Sequence, residues 1–151
     1  MDDDFLKYPG SKRSIRSVVQ AQARRDVREG RYDKQTWGDP VVKKIRGESL
    51  NLYTVGCLAR ALGRSVPSIR LWERQGKLPP APFVWKGDPG PKGGSGNRRY
   101  YTEAAITAAV TAFDEADLLV ETRVDWSSDA AQEASAAIFA AWSAEVEKYS
   151  T

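Results

Sequence analysis

The sequence predicts a mainly α-helical chain with one small β-hairpin and extra helices before and after the domain that carries it. Three observations lead there. Apolar residues recur at three-to-four spacing in segments opened by Ser, Thr or Asp and often closed by Gly. Two short runs, Phe83-Val84-Trp85 and Arg99-Tyr100-Tyr101, have strand composition and flank a Gly/Pro-rich loop. Charge is segregated: residues 1–50 carry +4, residues 51–101 carry +7 and residues 102–151 carry −8. A basic middle segment is the footprint of a polyanion binder, and an acidic tail keeps the chain soluble or faces another partner.

Length and composition narrow the possibilities further. With 151 residues, 41% hydrophobic and 28% charged, the chain suits one compact domain with appendages. Its longest apolar run, Ala136 to Trp142, is far short of the ~20 residues that span a bilayer. The Met-Asp-Asp-Asp start lacks the basic and apolar regions of a secretory leader, so a cytoplasmic protein is expected. The single cysteine, Cys57, cannot form an internal disulfide. Without any histidine, neither a zinc site nor a His-based triad can be assembled in one chain. No metal or cofactor is expected.

From the N-terminus, Ile15, Val18, Val19, Ala23 and Val27 set a basic amphipathic helix over Ser14 to Glu29, with Gly30 as its stop. Such a helix either covers the domain's own core or makes a second contact, to DNA or to a protein. Asp39-Pro40 followed by Val41, Val42 and Ile45 and by Gly47 predicts a two-turn helix. Thr54 caps a helix through Leu62, which Gly63 ends. Ser65 caps a second helix with Pro67 in its first turn, stopped at Gly76. The two form a helix-turn-helix pattern. Prolines 79, 80 and 82 exclude helix before the predicted hairpin. Its 12-residue loop, Lys86 to Asn97, is too rich in Gly and Pro to be rigid. The loop lacks the Gly-Lys-Ser/Thr of a phosphate loop, and its few Gly triplets cannot sustain a collagen helix. Thr102 caps a further helix, with Ile106, Ala109, Val110, Phe113 and Leu118 inward, expected to end near Arg123. Asp129 with Gln132 opens the last one. There, Ala134, Ile138, Ala141, Trp142, Val146 and Tyr149 share a face that serves core packing or, from Asp129 to Tyr149, pairing with a second copy.

The segment YTVGCLARALGRSVPSIRLWERQGKLPPA, continued after the loop by Arg99-Tyr100-Tyr101-Thr102-Glu103, resembles the DNA-binding domain of the MerR family of bacterial winged helix-turn-helix proteins. The likeness covers about 50 residues, Tyr53 to Glu103; excisionases and small terminase subunits of tailed phages resemble the same fold. It implies a recognition helix containing Arg70 and Trp72, and a wing in which Arg99 and Tyr101 contact phosphates. Two departures stand out: Leu71 replaces a common aromatic, and the wing loop is longer than usual. Only 28 residues follow Arg123, so the resemblance carries no small-molecule effector domain.

The residues make the same case by chemistry. Turning Val66, Ile69 and either Trp72 or Glu73 inward leaves Pro67, Ser68, Arg70, Leu71 and Arg74 outward, beside the cap Ser65. Arginine suits bidentate contact with guanine or phosphate, which makes Arg70 and Ser68 the candidates for sequence choice. Arg60, Arg64, Lys86, Lys92, Arg98 and Arg99 surround that helix as candidates for phosphate contact. The expected organisation is a basic helical extension over 1–50, a winged helix-turn-helix domain over 51–123 and an acidic helix over 124–151. The expected function is sequence-preferring binding of double-stranded DNA in a bacterial or phage setting, transcription regulation being its commonest use. The alternatives are a DNA-architecture protein of excision or packaging and a protein interaction adapter. Catalysis is not expected, since Asp114, Glu115 and Asp117 crowd one helical stretch with no paired nucleophile.

Overall fold

The structure, a computed structural model, describes residues 11–87, 91, 98–120 and 123–150, with side chains from Ser17 onward. It is a mixed α/β arrangement of five α-helices and a four-stranded antiparallel sheet. The elements are α1 (Ser11–Arg31), a 3₁₀ turn (Lys34–Thr36), β1 (Val41–Ile45), β2 (Glu48–Thr54), α2 (Val55–Leu62), α3 (Val66–Arg74), β3 (Phe83–Trp85), β4 (Arg98–Thr102), α4 (Glu103–Glu115) and α5 (Asp129–Lys148). No helix among the described residues is long and apolar enough to cross a membrane.

The sheet order is β1-β2-β4-β3. The expected hairpin forms, with Phe83 opposite Tyr100 and Trp85 opposite Arg98. It continues into a strand pair that the sequence reading missed. Residues 41–45, expected as helix, are β1, paired with β2 through a two-residue connection at Arg46 and Gly47. Both connecting residues have positive φ, 54° and 83°, as a tight antiparallel hairpin turn requires. Three β-branched residues in five explain why strand wins. β2 then pairs with β4 at Leu52–Thr102, Tyr53–Tyr101 and Thr54–Tyr100. The sheet curls so far that Lys43 of edge strand β1 lies 5.8 Å from the Trp85 ring of the opposite edge strand β3.

Helix ends follow local chemistry. The Thr54, Ser65 and Thr102 hydroxyls cap α2, α3 and α4 by accepting from the backbone N–H groups of Cys57, Ser68 and Ala105. Gly63 closes α2 in the left-handed region at φ 67°, and Arg64 N donates back to Ala59 O at 2.8 Å. Gly76 closes α3 in the same manner, with Lys77 N bonded to Trp72 O. Three boundaries differ from expectation. α1 runs through Gly30 to Arg31. α4 ends at Glu115 instead of near Arg123, because Asp117 adopts φ 58° and Leu118 N bonds to Phe113 O at 2.7 Å. Asp117 thus does what Gly does after α2 and α3. α5 is capped by Ser128, one residue before the expected Asp129, and Gln132 donates to Ser127 O.

One apolar cluster joins these elements: Leu58 and Leu62 of α2, Ile69 and Trp72 of α3, Ile106, Val110 and Phe113 of α4, and Ala134, Ile138 and Trp142 of α5. The inner face of α5 is therefore spent within the chain, with Trp142 donating to Ala105 O at 2.9 Å. Trp37, from a stretch in which no core residue was expected, is fully buried edge-on against Tyr53, and its indole N–H donates to Arg31 O.

Candidate nucleic-acid interface

α3 is amphipathic, and its faces can be assigned from about 100° of turn per residue. Ile69 and Trp72 point inward and are buried, with Val66 partly so. Pro67, Leu71 and Arg74 form an exposed ridge one to two turns long, with Leu71 41% exposed. Ser68 and Arg70 stand on opposite flanks of that ridge, about 200° apart around the axis.

On the Arg70 flank, α3 meets the first turn of α2 and strand β4. Thr54, Val55, Gly56, Arg70, Arg98, Arg99 and Tyr100 enclose a hollow of about 240 Å³. Three of its seven lining residues are arginines. The first turn of α2 adds backbone N–H groups with no partner inside their own helix. Donors of this kind, converging on one small concavity, suit an anionic oxygen.

Arg99 is held in place before any ligand arrives. Its Nε donates to both carboxylate oxygens of Glu73 at 3.1 Å, which pins β4 to α3. Behind that pair lies Tyr101, 1% exposed and tilted against Trp142 at 5.2 Å between ring centroids. Burial pushes its hydroxyl far above the ordinary phenol range; the Glu73 carboxylate adds to the shift, and Arg99 and Arg70 oppose it. Tyr101 accordingly offers no surface to a phosphate, contrary to the expected wing contact. Trp72, 9% exposed, supports α3 from beneath, stacked edge-on against Trp126 at 5.2 Å. Both rings do structural work because β4 and α3 each turn that side of their backbone onto the core.

The other expected contacts divide in two. Arg74 and Arg98 are exposed beside the ridge or its flank. Lys86 is exposed past the end of β3, in a shallow groove that also contains Lys44 and Trp85. Arg60 is drawn away: its Nε donates to Trp37 O at 2.7 Å, tying α2 to the chain before β1. Arg64 donates to Leu118 O and lies over the Trp72 ring at 5.9 Å. Lys92 and most of the expected wing loop lie outside the described residues.

No family model, curated protein or solved structure matches the chain. The functional reading therefore rests on the residues themselves.

The sequence reading overlooked Thr54, Val55 and Gly56 as part of a site, because they were assigned only to starting a helix. A capped helix start followed by Gly, placed by a strand pairing next to two consecutive arginines, was the clue. Among the described residues no group of three or more His, Cys, Asp or Glu side chains is placed to hold a metal ion.

Proposed function

We propose that the chain binds double-stranded DNA as a winged helix-turn-helix protein, with the Pro67–Leu71–Arg74 ridge of α3 in the major groove and the β3–β4 hairpin on the adjoining backbone. The observation that carries this reading is the Arg70–Arg98–Arg99 hollow beside an exposed helical ridge. An α-helix, about 10–12 Å across with its side chains, fits a major groove about 12 Å wide. A phosphate on the strand next to the hairpin would then meet Arg98 and the first turn of α2. Arg70, on the ridge flank, would reach either that phosphate or a guanine edge.

The likeness of residues 53–103 to the MerR family's DNA-binding domain supports the same docking. One such helix reads only a few base pairs, so a useful target calls for a second copy or a protein partner. Transcription regulation, recombination and genome packaging all use this kind of surface. A single palindrome near a promoter would indicate the first, and regularly repeated weak sites with strong bending either of the others.

The test is fluorescence anisotropy on mixed-sequence duplex DNA over a salt series. The parent chain is expected to bind with a steep salt dependence. Arg70→Ala should weaken binding by about 1–3 kcal/mol, roughly five- to 150-fold. Absence of binding by the parent even at low salt would overturn the proposal and turn attention to protein partners.

A further inference from the structure

A concavity larger than the Arg70–Arg98–Arg99 hollow lies on the opposite flank of α3. α1 passes over the Gly63 turn, and between it, the start of α3 and the chain after α4 runs a groove of about 770 Å³. Arg24 and Arg31 come from α1, Arg64 from the turn, and Arg123 from the segment after α4. No Asp or Glu is found among the described residues that line it. Ser65 and Ser68 border it on the α3 side, and Ala23, Val27 and Val124 contribute apolar wall.

Two of the arginines are held in position. Arg31 lies flat on Gly63, where a Cβ would come within 2.8 Å of its Cζ, and it donates to Arg60 O at 3.3 Å. Arg64 is fixed by Leu118 O and the Trp72 face. Arg24 and Arg123 stand exposed in the groove wall. Four cations converge here from three parts of the chain, and alternating cationic and apolar wall suits a polymer that alternates phosphate with deoxyribose.

The geometry points to this groove as the seat of the second DNA backbone, the strand across the major groove from the one at Arg98. This rests on the duplex-binding reading above and extends it. α3 has a basic hollow on each flank, and a major groove has a phosphate backbone along each side. α1, outside the stretch that resembles the MerR domain, becomes an arm that lengthens the footprint. Its donors serve affinity, while Arg70 and the ridge serve choice of sequence.

The experiment compares the parent, Arg70→Ala, the double variant Arg24→Ala with Arg123→Ala, and its charge-keeping counterpart Arg24→Lys with Arg123→Lys, on one mixed-sequence duplex over a salt series. Losing two phosphate contacts should make the slope of log K against log salt shallower by about 1.8. It should also weaken binding roughly 10- to 30-fold near 0.15 M. The lysine pair should keep the parent's slope, and thermal melts should show every variant folded at the temperature of the binding assay. If Arg70→Ala weakens binding while the alanine pair leaves the slope unchanged, the groove is not a backbone seat and the duplex reading stands. Should the alanine and lysine pairs lose slope equally, charge is not what the groove supplies and the inference also falls. If the parent does not bind, both fall.

Discussion

α1 and α5 are nearly equal in length, 21 and 20 residues, and both show apolar residues at helical spacing, yet they are used in opposite ways. α5 lies along α4, burying Ala131, Ala134, Ile138 and Trp142. Polar contacts secure its sides: Thr102 donates to Glu145 at 2.7 Å, and Ser135 to Lys77 O at 2.7 Å. α1 is tied to the rest of the fold toward its C-terminal end, where Arg28 lies 3.5 Å from Asp114 and Trp37 donates to Arg31 O. Residues 17–27 are exposed throughout, Val18 at 54% and Val19 at 62%. The difference lies in what fills the apolar positions. Indole and branched aliphatic side chains with Ala between them let α5 approach α4 closely, whereas a narrow valine stripe hemmed by arginines leaves α1 little to bury. Periodicity reports which face is apolar; side-chain size and the charges beside it decide whether that face reaches a core.

The contrast can be broken most forcefully at Trp142. Trp142→Ala empties a fully buried site and removes the indole donor to Ala105 O, so unfolding by urea should show a loss of about 3–5 kcal/mol. Next comes the end of α4, where α5's partner helix stops. Asp117 holds a left-handed conformation at some strain, and Asp117→Gly should raise stability by about 0.5–1 kcal/mol in the same assay. The smallest effect is expected on the arm. Val18→Ser together with Val19→Ser should shift unfolding by no more than about 0.5 kcal/mol, and a larger loss would mean that α1 is a core helix after all.

Much of the middle of the chain was legible because its chemistry is local. Thr54, Ser65 and Thr102 are caps that bond three residues ahead, and Gly63 and Gly76 are stops read from one residue each. The α3 ridge followed from helical spacing alone. What stayed hidden depends on partners distant in sequence or on a residue in an unusual role. Val41, Val42 and Ile45 fit a helix face as well as a strand; the choice is made by pairing with residues 48–52 across a turn that opens with Arg46, where Asn would have announced it. Asp117 ends α4 without a glycine to mark the place. Tyr101 looked like a contact because the resemblance assigned it one, and only its position on the covered face of β4 removes it. The α1 groove was least legible of all, since it exists only when Arg31 packs on a glycine 32 residues further along.

The pairing of β2 with β4 has a kinetic consequence. Joining Leu52 to Thr102 closes a loop of about 50 residues, and that loop contains α2, α3 and the whole hairpin. Loop closure on this scale costs conformational entropy before any contact repays it, so such contacts form slowly compared with a helix turn. The Arg70–Arg98–Arg99 hollow bridges the two ends of that loop. It exists only after closure, so its three arginines come together in the same event that pairs β2 with β4.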